Sequence, residues 1–310
     1  MNNKIIDDKF LTSLESVVLN LKSSLKGFFG GNHKTNLNGS SVEFSDFREY
    51  ILGDDLRKID WNLYSRFEKH FIKLFVDERQ MHNTIYIDSS ASMGSVSANK
   101  SKACLQVAAA LGFLSVQCLD KLSYKIINDN NIQSLGGKII GKDAFYKSMQ
   151  ELEKIEFKGT SKLSEAICNE GDLEKSDGAS IIISDFLFDE DYKKGIDYLL
   201  YQNKEVMVIQ VLSMEEISPT INGRYMLLDS EAPDKSSEMN MKMKISRSEF
   251  EAYKMALKDF LEDVKHFCAS RGVSYALVTT DRPVVNQLFE SLYESVVTKW
   301  DYYILLVFLD

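Results

Sequence analysis

The sequence contains no Cys-x-x-Cys pair. Its four cysteines, Cys104, Cys118, Cys168 and Cys268, lie apart in segments of helical pattern. Nothing in that spacing suggests a disulfide framework, and the thiols are expected to be buried apolar residues. Histidine is equally sparse: His33, His70, His82 and His266 are scattered, with none of the spacings that hold zinc. Positive charge is in deficit. With 37 Lys and Arg against 46 Asp and Glu, the net charge of -9 argues against a broad nucleic-acid face, since phosphate binding needs clustered Lys and Arg. Only local basic patches remain open. The start "MNNKIIDDKF" lacks the basic opening and apolar core of a secretory signal, so a cytoplasmic location is expected. Nor does any apolar run reach the about 20 residues of a membrane-spanning helix. The ending "YYILLVFLD" is far shorter and reads as a terminal strand or packing tail over 299–310.

What is present is an ordinary globular composition. A chain of 310 residues, 44% hydrophobic and 27% charged, can bury one large core or two smaller ones, and one main domain with an appendage is expected. Phe10, Leu14, Val17, Leu21 and Leu25 recur at helical spacing and predict an amphipathic helix over 5–26. "GFFGGNHKTNLNGSS" then reads as a loop. A dense stretch from Phe44 to Glu78 closes with a strand over 71–76. Together these give a pre-domain over 1–80.

From about residue 81 apolar segments and helical patterns alternate. Strands are predicted at "TIYI", "SYKIIND", "IQSLGG", "GASIIISDF", "KEVMVIQVL" and "VSYALVTT". Helices are predicted over 100–119, 142–156, 161–170, 189–202, 246–270 and 283–297. Several of the strands are continuously apolar, as in a parallel sheet covered on both faces, and the fold class is therefore α/β, doubly wound and mostly parallel, over 81–298. One segment breaks the rhythm. Met239, Met241, Met243 and Ile245 alternate with Asn240, Lys242 and Lys244, a half-buried strand pattern, so 213–245 is expected to be an inserted hairpin: an edge extension or a docking surface.

In a doubly wound sheet ligands bind beyond the carboxyl ends of the strands. Asp88 follows one apolar strand in "YIDSSASMGS" and Asp185 follows another in "IIISDF", so both carboxylates should face one edge. If the chain stays extended past Asp88, residues two apart point the same way and Asp88, Ser90 and Ser92 present three oxygens together. Carboxylates and hydroxyls without His or Cys form a hard donor set, suited to Mg2+, Mn2+ or Ca2+ and not to zinc. Each acid also has a plainer role, because Asp and Ser are common helix N-caps.

The stretch D-S-S-A-S over 88–92 resembles the DxSxS signature of the metal-ion-dependent adhesion site in von Willebrand factor A domains. The resemblance extends in the right order to Thr160 in "FKGTSKLSEAI" and to Asp185. It implies a von Willebrand factor A-like, Rossmann-type fold in which Asp88, Ser90, Ser92, Thr160 and Asp185 hold a Mg2+ ion, some directly and some through water, with a partner's carboxylate completing the shell.

Upstream, "FSDFREYILGDDLRKIDWNLYSR" resembles the bacterial domain-of-unknown-function family fifty-eight, whose genes often accompany MoxR-type AAA+ ATPases. The matching positions are Phe47, Arg48, Tyr50, Gly53, Asp54, Asp55, Arg57, Ile59, Asp60, Trp61 and Arg66. With "GGNHK" before them, the similarity covers most of 30–295. A structural role is expected for this block: Gly53-Asp54-Asp55 as a turn, Arg57 and Asp60 as an ion pair, Trp61 in the core.

Two functions follow. One is a non-enzymatic adaptor whose metal captures an acidic residue of a MoxR-type ATPase or of its client. The other is a Mg2+-dependent hydrolase with Asp88 as nucleophile. Aspartyl-phosphate hydrolases of the haloacid dehalogenase type place a second Asp two residues after the nucleophile; here that position is Ser90, which leaves proton transfer without a donor, and Ser92 has no His base. The adaptor is favoured.

Overall fold

The computed structural model describes residues 6–7, 9–16, 42–51, 54–77, 81–95, 98–171, 178–188, 191–219, 224–227, 241–244 and 247–291. The expected helix beyond residue 16, the glycine and asparagine loop after it, Gly53 and the 299–310 tail lie outside these. The chain forms two compact units, one of residues 22–80 and one of residues 1–21 with 81–310.

In the smaller unit, β1 (Val42–Glu49) pairs antiparallel with β2 (Phe71–Asp77), with a register shift between Phe44 and Asp46. Between them run a short 3-10 turn (Leu56–Lys58) and α2 (Trp61–Phe67). Asp55 and Asp60 cap the two turns by accepting backbone N–H groups of Arg57, and of Asn62 and Leu63. Asp54 does the work expected of a turn anchor: its carboxylate takes both guanidinium nitrogens of Arg48, at 3.0 and 2.8 Å. Asp60 pairs with Lys73 at 3.0 Å, not with Arg57 as expected. Lys73 lies on β2 and so reaches across the unit. Trp61 is 61% exposed and not in the core. It opens α2, none of whose residues is buried, and rests edge-on against Tyr64 and His70.

The larger unit is built on a six-stranded sheet in the order β10-β7-β6-β3-β4-β5. These strands are β3 (His82–Asp88), β4 (Lys121–Asn128), β5 (Asn131–Ser134), β6 (Ala179–Ser184), β7 (Glu205–Leu212) and β10 (Ser274–Thr279). All neighbours are parallel except β5, which returns antiparallel beside β4 through a tight turn. Ile85, Tyr86 and Ile87 in β3 and Ile182 and Ile183 in β6 are wholly buried, as continuously apolar central strands require.

Helices cover both faces. On one lie α1 (9–16), α4 (Ala98–Gln117), α5 (Gly141–Leu152) and α10 (284–291). On the other lie α6 (Leu163–Cys168), α7 (Tyr192–Tyr201) and α9 (Arg247–Ser270). Ile6, Phe10 and Leu14, four residues apart, bury one stripe of the N-terminal segment in the first core. Residues 1–21 thus group with the sheet, a different grouping from the 1–80 segment of the sequence pattern. Cys104 and Cys268 are buried as expected, whereas Cys168 is exposed at the end of α6.

After β7 comes α8 (Met214–Ile217), a single turn held by a reciprocal capping box between Ser213 and Glu216. Within the segment expected to be a hairpin, β8 (Arg224–Leu227) and β9 (Met241–Lys244) pair antiparallel; residues 228–240 and 245 of that expectation lie outside the described ones. Among the described residues no helix is long and apolar enough to cross a membrane.

Candidate metal centre

The chain leaves β3 for β4 on one side of the sheet and returns through β6 on the other, so strand order reverses between β3 and β6. Their carboxyl ends flank the crevice where doubly wound sheets bind ligands. Asp88 ends β3 and Asp185 directly follows β6, both fully buried. The sequence pattern therefore placed the two acids at one edge correctly.

The route after Asp88 differs from the extended one. Residues 91–95 form a short helical turn, α3 (Ala91–Ser95), because Asp88 Oδ1 accepts the N–H of Ser90 at 3.0 Å and turns the chain at once. The curl still brings the hydroxyls together: Ser90 Oγ and Ser92 Oγ are 3.0 Å apart and both buried. Gly94 lets α3 sit against Phe157, whose Cβ a methyl group at 94 would strike.

Thr160 is delivered by backbone contacts. Ala91 N–H donates to Gly159 O at 2.9 Å and Lys158 N–H to Ser89 O at 2.8 Å, which lays the 158–160 segment along the 89–91 segment. The Thr160 hydroxyl itself donates to Asp129 Oδ1 at 2.5 Å, at the end of β4. That bond holds the Asp129 carboxyl below the usual carboxylate range. Asp88, Ser90 and Ser92 are thus joined by side-chain contacts, Asp185 stands at the neighbouring strand end, and Thr160 lies at the loop but faces Asp129. Beside it, Ser161 Oγ is buried without a hydrogen-bond partner among the described residues.

Four groups at this edge were not singled out from sequence. Ser184, the last residue of β6, donates to Asp88 Oδ2 at 2.5 Å. Lys100, wholly buried on α4, lies 2.6 Å from both Asp185 Oδ2 and Glu216 Oε1. Gln210 of β7 donates to Asp185 O at 2.8 Å. The signal for Lys100 was present: position 100 falls in register with the buried stripe Cys104, Val107, Ala108 and Leu111, where a lysine demands a partner. Ser213-Met-Glu-Glu216 likewise carries the spacing of a capping box. Ser184 carries no such mark, since a serine in an apolar strand looks like any other strand residue.

Electrostatically the edge is dominated by buried acid. Desolvation, reinforced by the charge of Asp185, pushes the Asp88 carboxyl up to about 6, against the pull of the hydrogen bonds from Ser184 and Ser90. Burial opposes the Lys100 ammonium, but Asp185 and Glu216 more than offset it and hold Lys100 above its ordinary value. Burial also pushes up the Cys104 thiol beside the site, which leaves it inert. No group of three or more His, Cys, Asp or Glu side chains among the described residues is placed to hold a metal. A cation here would rest on hydroxyl oxygens backed by two acids, and that donor set fits a hard divalent ion.

Fold and edge together define an α/β domain with an acid and hydroxyl cluster at the switch point of a doubly wound sheet. The chain belongs to the family described as "Protein of unknown function DUF58", which matches residues 46–259. Uncharacterized proteins of Mycobacterium tuberculosis and Mycobacterium bovis are each 24% identical to it over 237 residues, 75% of this chain and 74% of theirs. Among solved structures, an aerotolerance-related membrane protein from Bacteroides fragilis with multiple mutations to serines matches at a TM-score of 0.40 and 12% identity, over 70% of this chain and 99% of that one. The SpRpn10 VWA domain matches at 0.38 and 10%, over 68% and 94%. Proximal thread matrix protein 1 from the mussel byssus, with a zinc-occupied MIDAS motif, matches at 0.35 and 10%; 43% of this chain spans 36% of that protein.

Proposed function

We propose that the chain is a non-enzymatic protein-binding adaptor. Asp88, Ser90, Ser92, Thr160 and Asp185 form a metal-ion-dependent adhesion site for Mg2+, with Mn2+ or Ca2+ as substitutes. The bound ion captures an acidic side chain of a MoxR-type AAA+ ATPase or of its client. The observation that carries this reading is the pair of buried serine hydroxyls, 3.0 Å apart, set beside two buried carboxylates at one switch point. Lys100 compensates Asp185 but not Asp88, whose buried charge favours a cation, and hard oxygens favour Mg2+ over zinc. In this function Thr160 exchanges Asp129 for the ion.

A hydrolase is less well served. Asp88 is wholly buried, and its Oδ1 and Oδ2 already accept from Ser90 N–H and Ser184 O–H. Proton transfer also lacks a donor, because Ser90 stands two residues on, where such an enzyme needs an acid.

Mn2+ titration followed by electron paramagnetic resonance tests the site: one ion per chain is expected, lost in Asp88→Ala and in Ser90→Ala with the thermal transition in chelator retained for Ser90→Ala. Pull-down from native lysate should lose the same partner in both variants and on chelation. Unchanged capture in all three conditions would sink the adaptor, and phosphatase activity abolished by Asp88→Asn would replace it with the hydrolase.

A further inference from the structure

Lys100 is a second cation already inside the site. Its ammonium lies 2.6 Å from Asp185 Oδ2 and 2.6 Å from Glu216 Oε1, with no exposed surface. Both contacts fix its end between the close of β6 and α8. Glu216 is fixed as firmly. Its Oε2 accepts the N–H of Ser213 at 2.7 Å, its own N–H donates to Ser213 Oγ at 3.2 Å, and its carbonyl accepts the Tyr253 hydroxyl at 2.7 Å. A salt bridge serving only to tie α4 to β6 would need no second acid.

The charges explain the second acid. Of the groups shielded from solvent, Asp88, Asp185 and Glu216 carry three negative charges when ionised and Lys100 carries one positive, which leaves a surplus of two, the charge of one divalent cation; Asp129, beside Thr160, is exposed and screened. Resting on the metal reading above, we propose that Lys100 and Glu216 are the charge-setting residues of the site: Lys100 weakens metal binding by like-charge repulsion, and Glu216 restores it. Neither is a ligand. Together they hold the net charge at the value a divalent ion neutralises, while Lys100 on Oδ2 and the Leu187 N–H on Oδ1, at 2.9 Å, orient Asp185.

Mn2+ affinity of the full chain, read by electron paramagnetic resonance, separates this from a purely structural pair. Lys100→Met raises the surplus to three negative charges and should tighten binding by about tenfold or more; Glu216→Gln lowers it to one and should weaken binding by a similar factor. The double variant Lys100→Met/Glu216→Gln restores the surplus of two and should return to near the wild-type value. A structural pair would instead lower the affinity of both single variants or leave both unmoved. Either result overturns the proposal while leaving the metal site standing. Should Lys100→Met not fold in chelator, Glu216→Gln and the double variant decide the matter between them. Absence of Mn2+ binding in the wild-type chain removes the adhesion site itself, and this proposal with it.

Discussion

At the residue scale the site depends on a hydroxyl that no metal scheme requires. Ser184 donates to Asp88 Oδ2 at 2.5 Å and accepts the N–H of Phe186 at 3.0 Å, both inside the fold. Phe186 has a left-handed backbone, φ 59°, so its N–H has little freedom to seek another acceptor. Ser184→Ala removes a hydrogen bond to a charged group and strands a buried donor, a loss of about 1.5–3 kcal/mol. Urea unfolding in chelator should show a lower midpoint with an unchanged slope. An unchanged midpoint would mean that Asp88 is held without Ser184. The pattern of the sequence revealed Asp88 and Asp185 because each interrupts the end of an apolar run. Ser184 stayed hidden because its partner is 96 residues away, and the marks that Lys100 and Glu216 carry do not name their contacts, which span 85 and 116 residues.

At the scale of elements, periodicity identified the strands of the sheet and the helices covering it to within a few residues where these are described, but not α8, nor the direction of β5, which a short tight turn decides. It missed α3 for a similar reason. An Asp side chain capturing a backbone N–H two residues on overrides the extended continuation that alternating serines suggest. The packing of α4 on the sheet rests on Gly112. A methyl group there would collide with Tyr124 Oη, and the Tyr124 hydroxyl donates to Ala108 O at 3.2 Å. Gly112→Ala should gain about 1 kcal/mol of helix propensity. It should lose more by overpacking, which costs about 1–3 kcal/mol and makes the net effect destabilising. Tyr124→Phe in the same chain removes the nearest clashing atom and should recover part of the loss, because the oxygen and not the ring is the first obstacle. The thermal midpoints of the two single variants and of the double variant form the required cycle. A Gly112→Ala chain as stable as the parent would show that the helix can shift without cost.

At the scale of the whole molecule each of the two units has its own stabilising groups. The sheet unit buries apolar side chains on both faces of six strands, and hydrophobic burial is insensitive to pH. In residues 22–80 Ile59 and Ile72 are buried, and Asp60 ties the elements on either side of it. Its Oδ1 caps α2 and its Oδ2 lies 3.0 Å from Lys73 on β2. The Lys73 hydrogen bond, helped by the capping N–H groups and opposed by burial, holds the Asp60 carboxyl below the usual carboxylate range. A carboxyl depressed in the folded state contributes stability that is present above its unfolded value of about 4 and is lost as pH falls through the folded value. Asp60→Asn isolates the charge, since Asn remains a good cap. The chain has two tryptophans, so Trp300→Phe leaves Trp61 in α2 as the single indole reporter. In that background Asp60→Asn should lower the urea midpoint at about pH 7, and the gap should close as the buffer is taken below about pH 4. A gap that persists unchanged into acid would assign the stabilisation to the shape of residue 60 and not to its charge.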